Sequence, residues 1–244
     1  MSDPLPFIEF LQRGSEAGGL QTDDVLTAML PLMRRIASLH ERSRVAHLRG
    51  PATIVANERG ELALIDPIGL EPTLQLSRIE ALQKPPASAL HVVGHARVTS
   101  DADTGTEYTN LEVIAEGVPL TRPAYVPGYQ SWENLLGHHD ALTDIFCAGL
   151  LLAALALDVD LSDAAELKAF AENRANLFAI NPRLHPVIAA VIVEMTELNR
   201  HRRAADMTSI VGRLENYREQ TPDIDIAQLP GFAAAGVSQR RQIV

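Results

Sequence analysis

Lysine is nearly absent from this chain of 244 residues, which contains only Lys84 and Lys168. Arginine therefore carries almost all of the positive charge, and acidic residues outnumber Lys and Arg by 31 to 21, which gives a net charge of −10. A chain with this balance lacks the basic surface that binds nucleic acid or an anionic membrane. We therefore expect neither nucleic acid nor a membrane as a partner.

Cysteine is equally scarce, because the single Cys147 can form neither an internal disulfide nor a zinc cluster. The N-terminus, MSDPLPFIEF, has neither the basic nor the apolar region of a signal peptide. The longest apolar run, Ile145 to Leu157, is too short to span a bilayer and is typical of a buried core helix. These absences predict a soluble cytoplasmic protein.

Apolar residues recur mostly at helical spacing, and they make up enough of the chain, 46%, to fill one sizeable core. The pattern predicts a mainly α (α+β) fold with small β elements. The expected helices cover Pro6 to Arg13, Thr22 to His40, Ala141 to Leu157, Ser162 to Asn176, Pro186 to Leu198 and Ala204 to Gln220.

Two short strands, Ala52 to Val55 and Glu61 to Ile65, are expected on either side of the turn sequence Asn-Glu-Arg-Gly. Proline signals predict a loop from Pro72 to Pro86. Alternating residues from Leu90 to Thr99 and from Glu107 to Ala115 then predict a β-hairpin, an insertion at about residues 88–118. We expect one domain over residues 1–220 and a tail or linker over 221–244.

Several short motifs follow one another in a fixed order. The first, LHERSRVAHLRGPATIVANERGELALIDPIG, covers Leu39 to Gly69, and TRPAYVPGYQSWE covers Thr121 to Glu133. DIFCAG opens the apolar helix at Asp144, and two arginines, Arg202 and Arg203, precede the last helix. In their order and spacing these motifs resemble the C-terminal lobe of the eukaryotic-like protein kinase fold over nearly the whole chain.

The resemblance places the catalytic loop of a kinase at Val45 to Val55 and its metal-binding aspartate at Asp66. The catalytic Asp, 18 positions earlier, is then Leu48, which has no lone pair to accept a proton. The γ-phosphate lysine becomes Gly50, and the asparagine that holds a second magnesium ion becomes Thr53. Asp66 remains as a candidate metal ligand, the alternative being a carboxylate that caps nearby backbone amides.

The nucleotide-binding N-terminal lobe of a kinase is missing from the pattern. No G-x-G-x-x-G precedes a strand, and neither Lys84 nor Lys168 lies in a V-A-I-K strand. We therefore expect no cofactor, with Asp66 as the only remaining route to Mg²⁺ or ATP.

Three structural roles follow from the same resemblance. Asp144 should accept hydrogen bonds from the backbone of the catalytic loop, or else cap its own helix. Gly128 and Tyr129 stand where kinases have Pro-Glu, so Glu133 is the substitute expected to pair with Arg202 or Arg203.

The adjacent His138, His139 and Asp140 resemble a metal cluster only superficially, and a polar segment leading into the helix explains them better. Cys147 is expected to be an inert core thiol.

The resemblance as a whole implies a catalytically inactive, pseudokinase-like domain that acts as a protein-interaction or regulatory scaffold. The face left open by the missing lobe should be covered by a partner chain, by self-association or by the N-terminal helix. The alternative is a composite phosphotransferase whose nucleotide-binding lobe comes from another chain or from a longer parent protein.

Overall fold

A computed structural model describes residues 4–83 and 120–220 of the chain. The expected hairpin from Leu90 to Ala115, together with Lys84 and the tail 221–244, lies outside the described residues.

The described residues are mainly helical, as the apolar spacing predicts. Two helices, α2 and α4 below, have the bounds expected from the sequence. The helices are α1 (Phe7–Glu16), α2 (Thr22–His40), α3 (Leu76–Gln83), α4 (Ala141–Leu157), α5 (Ala164–Glu172), α6 (Pro186–Met195) and α7 (Met207–Glu215), with short 3₁₀ turns at Pro51–Thr53, Asn134–Leu136 and Arg174–Ala179.

A small antiparallel sheet has the order β1 (Leu5–Pro6), β2 (Ile54–Ala56) and β3 (Leu62–Leu64). The two expected strands are confirmed as β2 and β3, with Val55 opposite Ala63. Gly60, with φ of 76°, closes the turn between them. The additional strand β1 has only two residues, too few for an alternating pattern to reveal it.

The loop expected from Pro72 to Pro86 is wrong in part, because α3 occupies Leu76–Gln83. The prolines on either side suggested a loop, but Ile79 is buried and anchors one face of a short helix. The helix expected from Ser162 to Asn176 is also shorter. Asp163 caps α5 through the backbone N–H groups of Ala165 and Glu166, so the helix starts there.

The last two helices also end before their expected limits. The helix predicted to reach Leu198 stops at Met195, and the one predicted over Ala204 to Gln220 is limited to Met207–Glu215. Asp206 sets the start of α7, because its carboxylate accepts hydrogen bonds from the N–H groups of Thr208 and Ser209.

Helix α4 forms the centre of the core. Its residues from Thr143 to Leu157 are all buried, as expected for a helix that is apolar on every side. Gly149 lets α6 approach closely, since a Cβ atom there would lie 2.6 Å from the Cβ of Met195. Within the described parts of the chain, no helix combines the length and the hydropathy needed to cross a membrane.

Helix α1 packs against the sheet and against the turn that leads into β2. It contacts β2 and the turn Pro51–Thr53, and its Phe7 is fully buried with its ring edge against Tyr129, 5.2 Å between ring centroids. The N-terminal helix therefore closes one side of the region that contains the candidate site.

Candidate functional site

The resemblance places a catalytic loop at Val45 to Val55, of which residues 45–53 precede strand β2. This part, called the loop below, is fastened by one buried carboxylate at the start of α4. Asp144 Oδ2 accepts a hydrogen bond from the Ala46 N–H at 2.6 Å, and Oδ1 accepts one from the Leu48 N–H at 3.3 Å. These are the bonds expected for Asp144. The cap of α4 is a different residue, Asp140, whose carboxylate accepts from the Thr143 N–H.

A third group meets the same carboxylate. His40, the last residue of α2, places its Nε2 3.1 Å from Asp144 Oδ2. Asp144 itself is 1% exposed. The end of α2, the loop and the start of α4 are thus joined at a single buried side chain, which fixes the loop backbone relative to the core.

Leu48 occupies the position that the resemblance assigns to the proton-accepting aspartate. Its side chain is 1% exposed and belongs to the main hydrophobic core. The thiol of Cys147 lies 3.6 Å from the Leu48 carbonyl oxygen and donates a hydrogen bond to it. The residue therefore acts as a packing group, and its hydrocarbon side chain cannot accept a proton.

Gly50 and Thr53 are also committed to local structure. Gly50 has φ of 103°, and a Cβ atom there would lie 2.9 Å from the carbonyl oxygen of Gly128, so no lysine fits at this position without backbone movement. The Thr53 hydroxyl donates a hydrogen bond of 3.0 Å to the Gly50 carbonyl. Both residues shape the turn that leads into β2.

Asp66 lies at the far end of the β2–β3 hairpin and is exposed. Its Oδ1 accepts a hydrogen bond of 3.0 Å from the Ile68 N–H, which is the backbone-capping alternative named above. Across the ladder, the Ile65 N–H donates to the Thr53 carbonyl at 2.9 Å, so Thr53 and Asp66 lie at the same end of the hairpin. Over residues 4–83 and 120–220, no group of three or more His, Cys, Asp or Glu side chains is placed to hold a metal ion.

A second buried centre forms around Glu133, which is fully buried. Its Oε1 lies 2.9 Å from Arg203 Nη2 and 3.1 Å from Arg200 Nη1. Glu133 thus makes the ion pair expected of it. Arg203 rather than its neighbour Arg202 is the partner, because Arg202 is exposed.

Arg203 joins this centre to α4 and to the turn after α6. Its Nη1 donates to the Leu142 carbonyl at 2.9 Å, and its Nε donates to the Glu197 carbonyl at 2.8 Å. Its guanidinium carbon lies 4.6 Å from the centre of the Phe146 ring. Burial opposes ionisation of Glu133, but Arg203 and Arg200 outweigh it and hold the pKa of that carboxyl below its usual value.

Arg200 extends the centre to the N-terminus of α4. It lies 2.5 Å from Asp140 Oδ2, and Asp140 in turn lies 3.2 Å from His138 Nε2. Burial opposes ionisation here too, but the nearby His138 and the charge of Arg200 lower the pKa of Asp140. His138 is fully buried, and its Nδ1 accepts from the Gln75 N–H at 2.9 Å. The polar segment before α4 is therefore a structural junction.

His139 contacts the loop directly. Its ring centroid lies 3.7 Å from that of His47, a residue of the loop with φ of 58°. Burial, with the nearby His47 and Arg49, lowers the pKa of His139 to about 4. Burial and Arg49 also lower the pKa of His47, with Asp144 opposing. The two imidazoles therefore pack together in their uncharged form, because Arg49 would repel a positive charge on either ring.

Cys147 lies between the two centres in the middle of the core. It is fully buried, and burial raises the pKa of its thiol, with the charges of Asp144 and Glu133 adding to that effect. Such a thiol is not a nucleophile at neutral pH. Lys168 is exposed on α5, 3.7 Å from Glu172, so its amine takes no part in the site.

Sequence reasoning did not identify Arg200, nor the burial of His138 and His139. A signal for Arg200 existed, because it precedes Arg203 by three residues in an otherwise polar turn. Nothing in the local pattern distinguishes a buried histidine pair from a solvated one. Neither family models nor curated proteins give a match when compared with this sequence.

Proposed function

We propose that this chain is a catalytically inactive domain, similar to the lower lobe of a protein kinase, that acts by binding other proteins. The observation that supports the proposal most strongly is the combination of backbone contacts and side chains in the loop at residues 45–53. Its backbone is held by Asp144, as in the resemblance, while Leu48 packs in the core and Gly50 abuts the Gly128 carbonyl. Such a loop supports the proposal, because it would have the framework of a kinase catalytic loop without groups that could transfer a phosphoryl group.

The ionic centre supports the same interpretation. The Glu133–Arg203 pair holds the segment before α4 against the turn after α6, and both side chains are inaccessible to solvent. A charge pair of this kind fixes one arrangement of the backbone and offers nothing to a substrate. The buried charges of Glu133 and Arg203 thus have a structural role in this proposal.

The surface favours a binding role. The large apolar residues that remain exposed in the described chain are grouped on residues 65–76 and at Leu135, next to the loop and the end of the hairpin. Exposed apolar groups in a cluster typically mark a protein–protein contact. A domain of this kind would serve as a scaffold or regulator within a larger assembly.

The composite phosphotransferase is the second candidate, and the exposed carboxylate of Asp66 favours it. Another chain would supply the nucleotide-binding lobe, and Asp66 would hold Mg²⁺.

Calorimetric titration with Mg²⁺–ATP separates the two proposals. It is run on the chain alone and on its complex with the product of the neighbouring gene, with Asp66→Ala as the variant. Glu9→Ala, which removes an exposed acid from α1, is the matched control. No binding heat in either sample is expected and rejects the composite enzyme. Tight binding that Asp66→Ala abolishes and Glu9→Ala preserves would overturn the inactive scaffold.

A further inference from the structure

Six large apolar side chains are exposed in the described part of the chain. We call this surface the 65–76 ridge, which consists of residues 65–76 together with Leu135. The exposed fractions range from 47% to 72%, and the side chains are Ile65, Ile68, Leu70, Leu74, Leu76 and Leu135. At about 100 Å² each they present roughly 600 Å² of apolar surface in total.

The first part of the ridge is fixed in its exposed position. Arg35, on α2, donates hydrogen bonds from its guanidinium to the Pro67 carbonyl, with Nε at 3.1 Å. The Asp66 carboxylate accepts from the Ile68 N–H within the same turn. Ile68 therefore cannot turn inward unless these bonds break.

Backbone pairing fixes the rest. Val45 and Leu70 exchange two hydrogen bonds, of 2.9 and 2.8 Å. Thr73 and His139 exchange another two, also of 2.9 and 2.8 Å. A segment bonded at this many points is rigid, so its apolar side chains are presented to a partner with little ordering cost on binding.

The charges around the ridge argue against a strongly charged partner. Arg35 is bonded to the Pro67 carbonyl, Arg44 to Glu71 and to the Gly69 carbonyl, and Arg78 to the Leu136 carbonyl. These guanidiniums support the ridge and are already engaged. The charged residues on or bonded to the ridge and α3 balance, with Arg35, Arg44 and Arg78 against Asp66, Glu71 and Glu80.

The balance of charge favours a second copy of this chain. The whole chain has a net charge of −10, so two copies repel each other over most of their surfaces. The ridge is locally neutral, so two copies can meet there without the repulsion that acts over the rest of their surfaces. Burying roughly 600 Å² on each copy gives about 1,200 Å², the lower end of a specific interface.

We propose that the 65–76 ridge is the interface of a homodimer. The inference rests on the proposed function, since it assumes that the domain acts through protein contacts, and it identifies a second copy of this chain as the partner. The two copies pack Ile65, Ile68 and Leu70 across a two-fold axis.

Sedimentation equilibrium of the full chain up to about 100 μM tests the dimer, since an interface of this size should hold in that range. The variants are Ile68→Glu and the uncharged Ile65→Ser/Ile68→Ser, both at exposed positions. Lys168→Gln is the matched control, because it makes the same change in net charge as Ile68→Glu on an exposed helix. We expect at least a tenfold weaker dimer for both ridge variants and no change for the control.

Hydrogen exchange of the full chain at low and high concentration locates the interface. Amides of residues 65–76 should exchange more slowly at high concentration in the wild-type chain but not in Ile65→Ser/Ile68→Ser. A wild-type chain that stays monomeric, a dimer that persists in both ridge variants, or ridge protection independent of concentration would each overturn the homodimer. Those outcomes leave the inactive scaffold standing, because the Mg²⁺–ATP titration tests it separately.

Discussion

The loop at residues 45–53 and the segment at 131–144 lie side by side, but they differ in the kind of side chain that they bury. In the loop, Leu48 is buried and apolar, and Gly50 leaves no room for a side chain. In the neighbouring segment, Glu133 is buried in an ion pair with Arg203, and Asp144 is buried and accepts from the Ala46 N–H. Buried charge therefore fastens one backbone segment to another in the 131–144 segment, whereas the positions Leu48 and Gly50 of the loop carry none.

The largest expected effect is on the ionic centre. Replacing Arg203 by Met should lower the free energy of unfolding by about 3–5 kcal/mol, because the buried carboxylate of Glu133 loses its main partner. Urea unfolding followed by circular dichroism measures the change. Arg202→Met, at the exposed neighbouring position, should stay within about 0.5 kcal/mol. Equal effects of the two variants would show that the buried pair is not the stabilising element.

Asp144 connects the two regions through its hydrogen bonds to the loop, and its replacement should have the second-largest effect on stability. Asp144→Ala leaves the N–H groups of Ala46 and Leu48 and the His40 ring without an acceptor, which should cost about 3 kcal/mol of unfolding free energy. Hydrogen exchange of the Ala46 and Leu48 amides is the local measurement. Asp144→Asn keeps one oxygen acceptor and should lose less. Unchanged exchange in Asp144→Ala would mean that the loop is held by other contacts.

Gly50 tests the loop itself. Gly50→Ala should lower the free energy of unfolding by about 2 kcal/mol, because φ of 103° is strained for alanine and the added Cβ meets the Gly128 carbonyl. Gly18→Ala is a matched control, since its φ is also positive but nothing lies within 4 Å of the added carbon. If the control loses as much stability, the contact with Gly128 is unimportant.

A pH dependence is expected at the histidine contact between the regions. His139 has a pKa of about 4 in the folded protein against an ordinary value of 6.5. Between those values the unfolded chain binds more protons, so the stability contributed by uncharged His139 is complete above pH 6.5 and is lost as the pH falls toward 4. Urea midpoints at several pH values measure this.

His139→Gln should flatten that dependence, because the side chain no longer takes up a proton. His201→Gln, at an exposed histidine, should leave it unchanged. A wild-type stability that rises on acidification over this range would contradict the assignment to His139.

The sequence allowed α2 and α4 to be predicted for physical reasons that act locally, whereas the backbone role of Asp144 was expected only from the resemblance. The apolar residues of α2 and α4 repeat at helical spacing, and the turn Asn57–Gly60 carries a local signal for a reversal. Glu133 was expected from the resemblance alone, as the substitute for the glutamate that kinases pair with a late arginine.

What the sequence did not predict depends on contacts between distant segments. Helix α3 exists because Ile79 finds a buried place in the core, although prolines flank the segment. His138 is buried because the backbone of Gln75, 63 residues earlier, donates to its ring. Arg200 joins Glu133 and Asp140 only once the turn after α6 folds back onto α4. No local pattern contains these pairings.

The central proposal, that the loop has the backbone framework of a kinase catalytic loop without its catalytic groups, is tested most directly at Leu48. The measurement is the free energy of unfolding of Leu48→Asp, in urea, with and without Mg²⁺–ATP, and with Leu48→Met as the volume-matched control. The account predicts a loss of about 3–5 kcal/mol for the aspartate, since it buries a second carboxylate beside Asp144, and no stabilisation by Mg²⁺–ATP. A Leu48→Asp chain as stable as the wild type and further stabilised by Mg²⁺–ATP would contradict it.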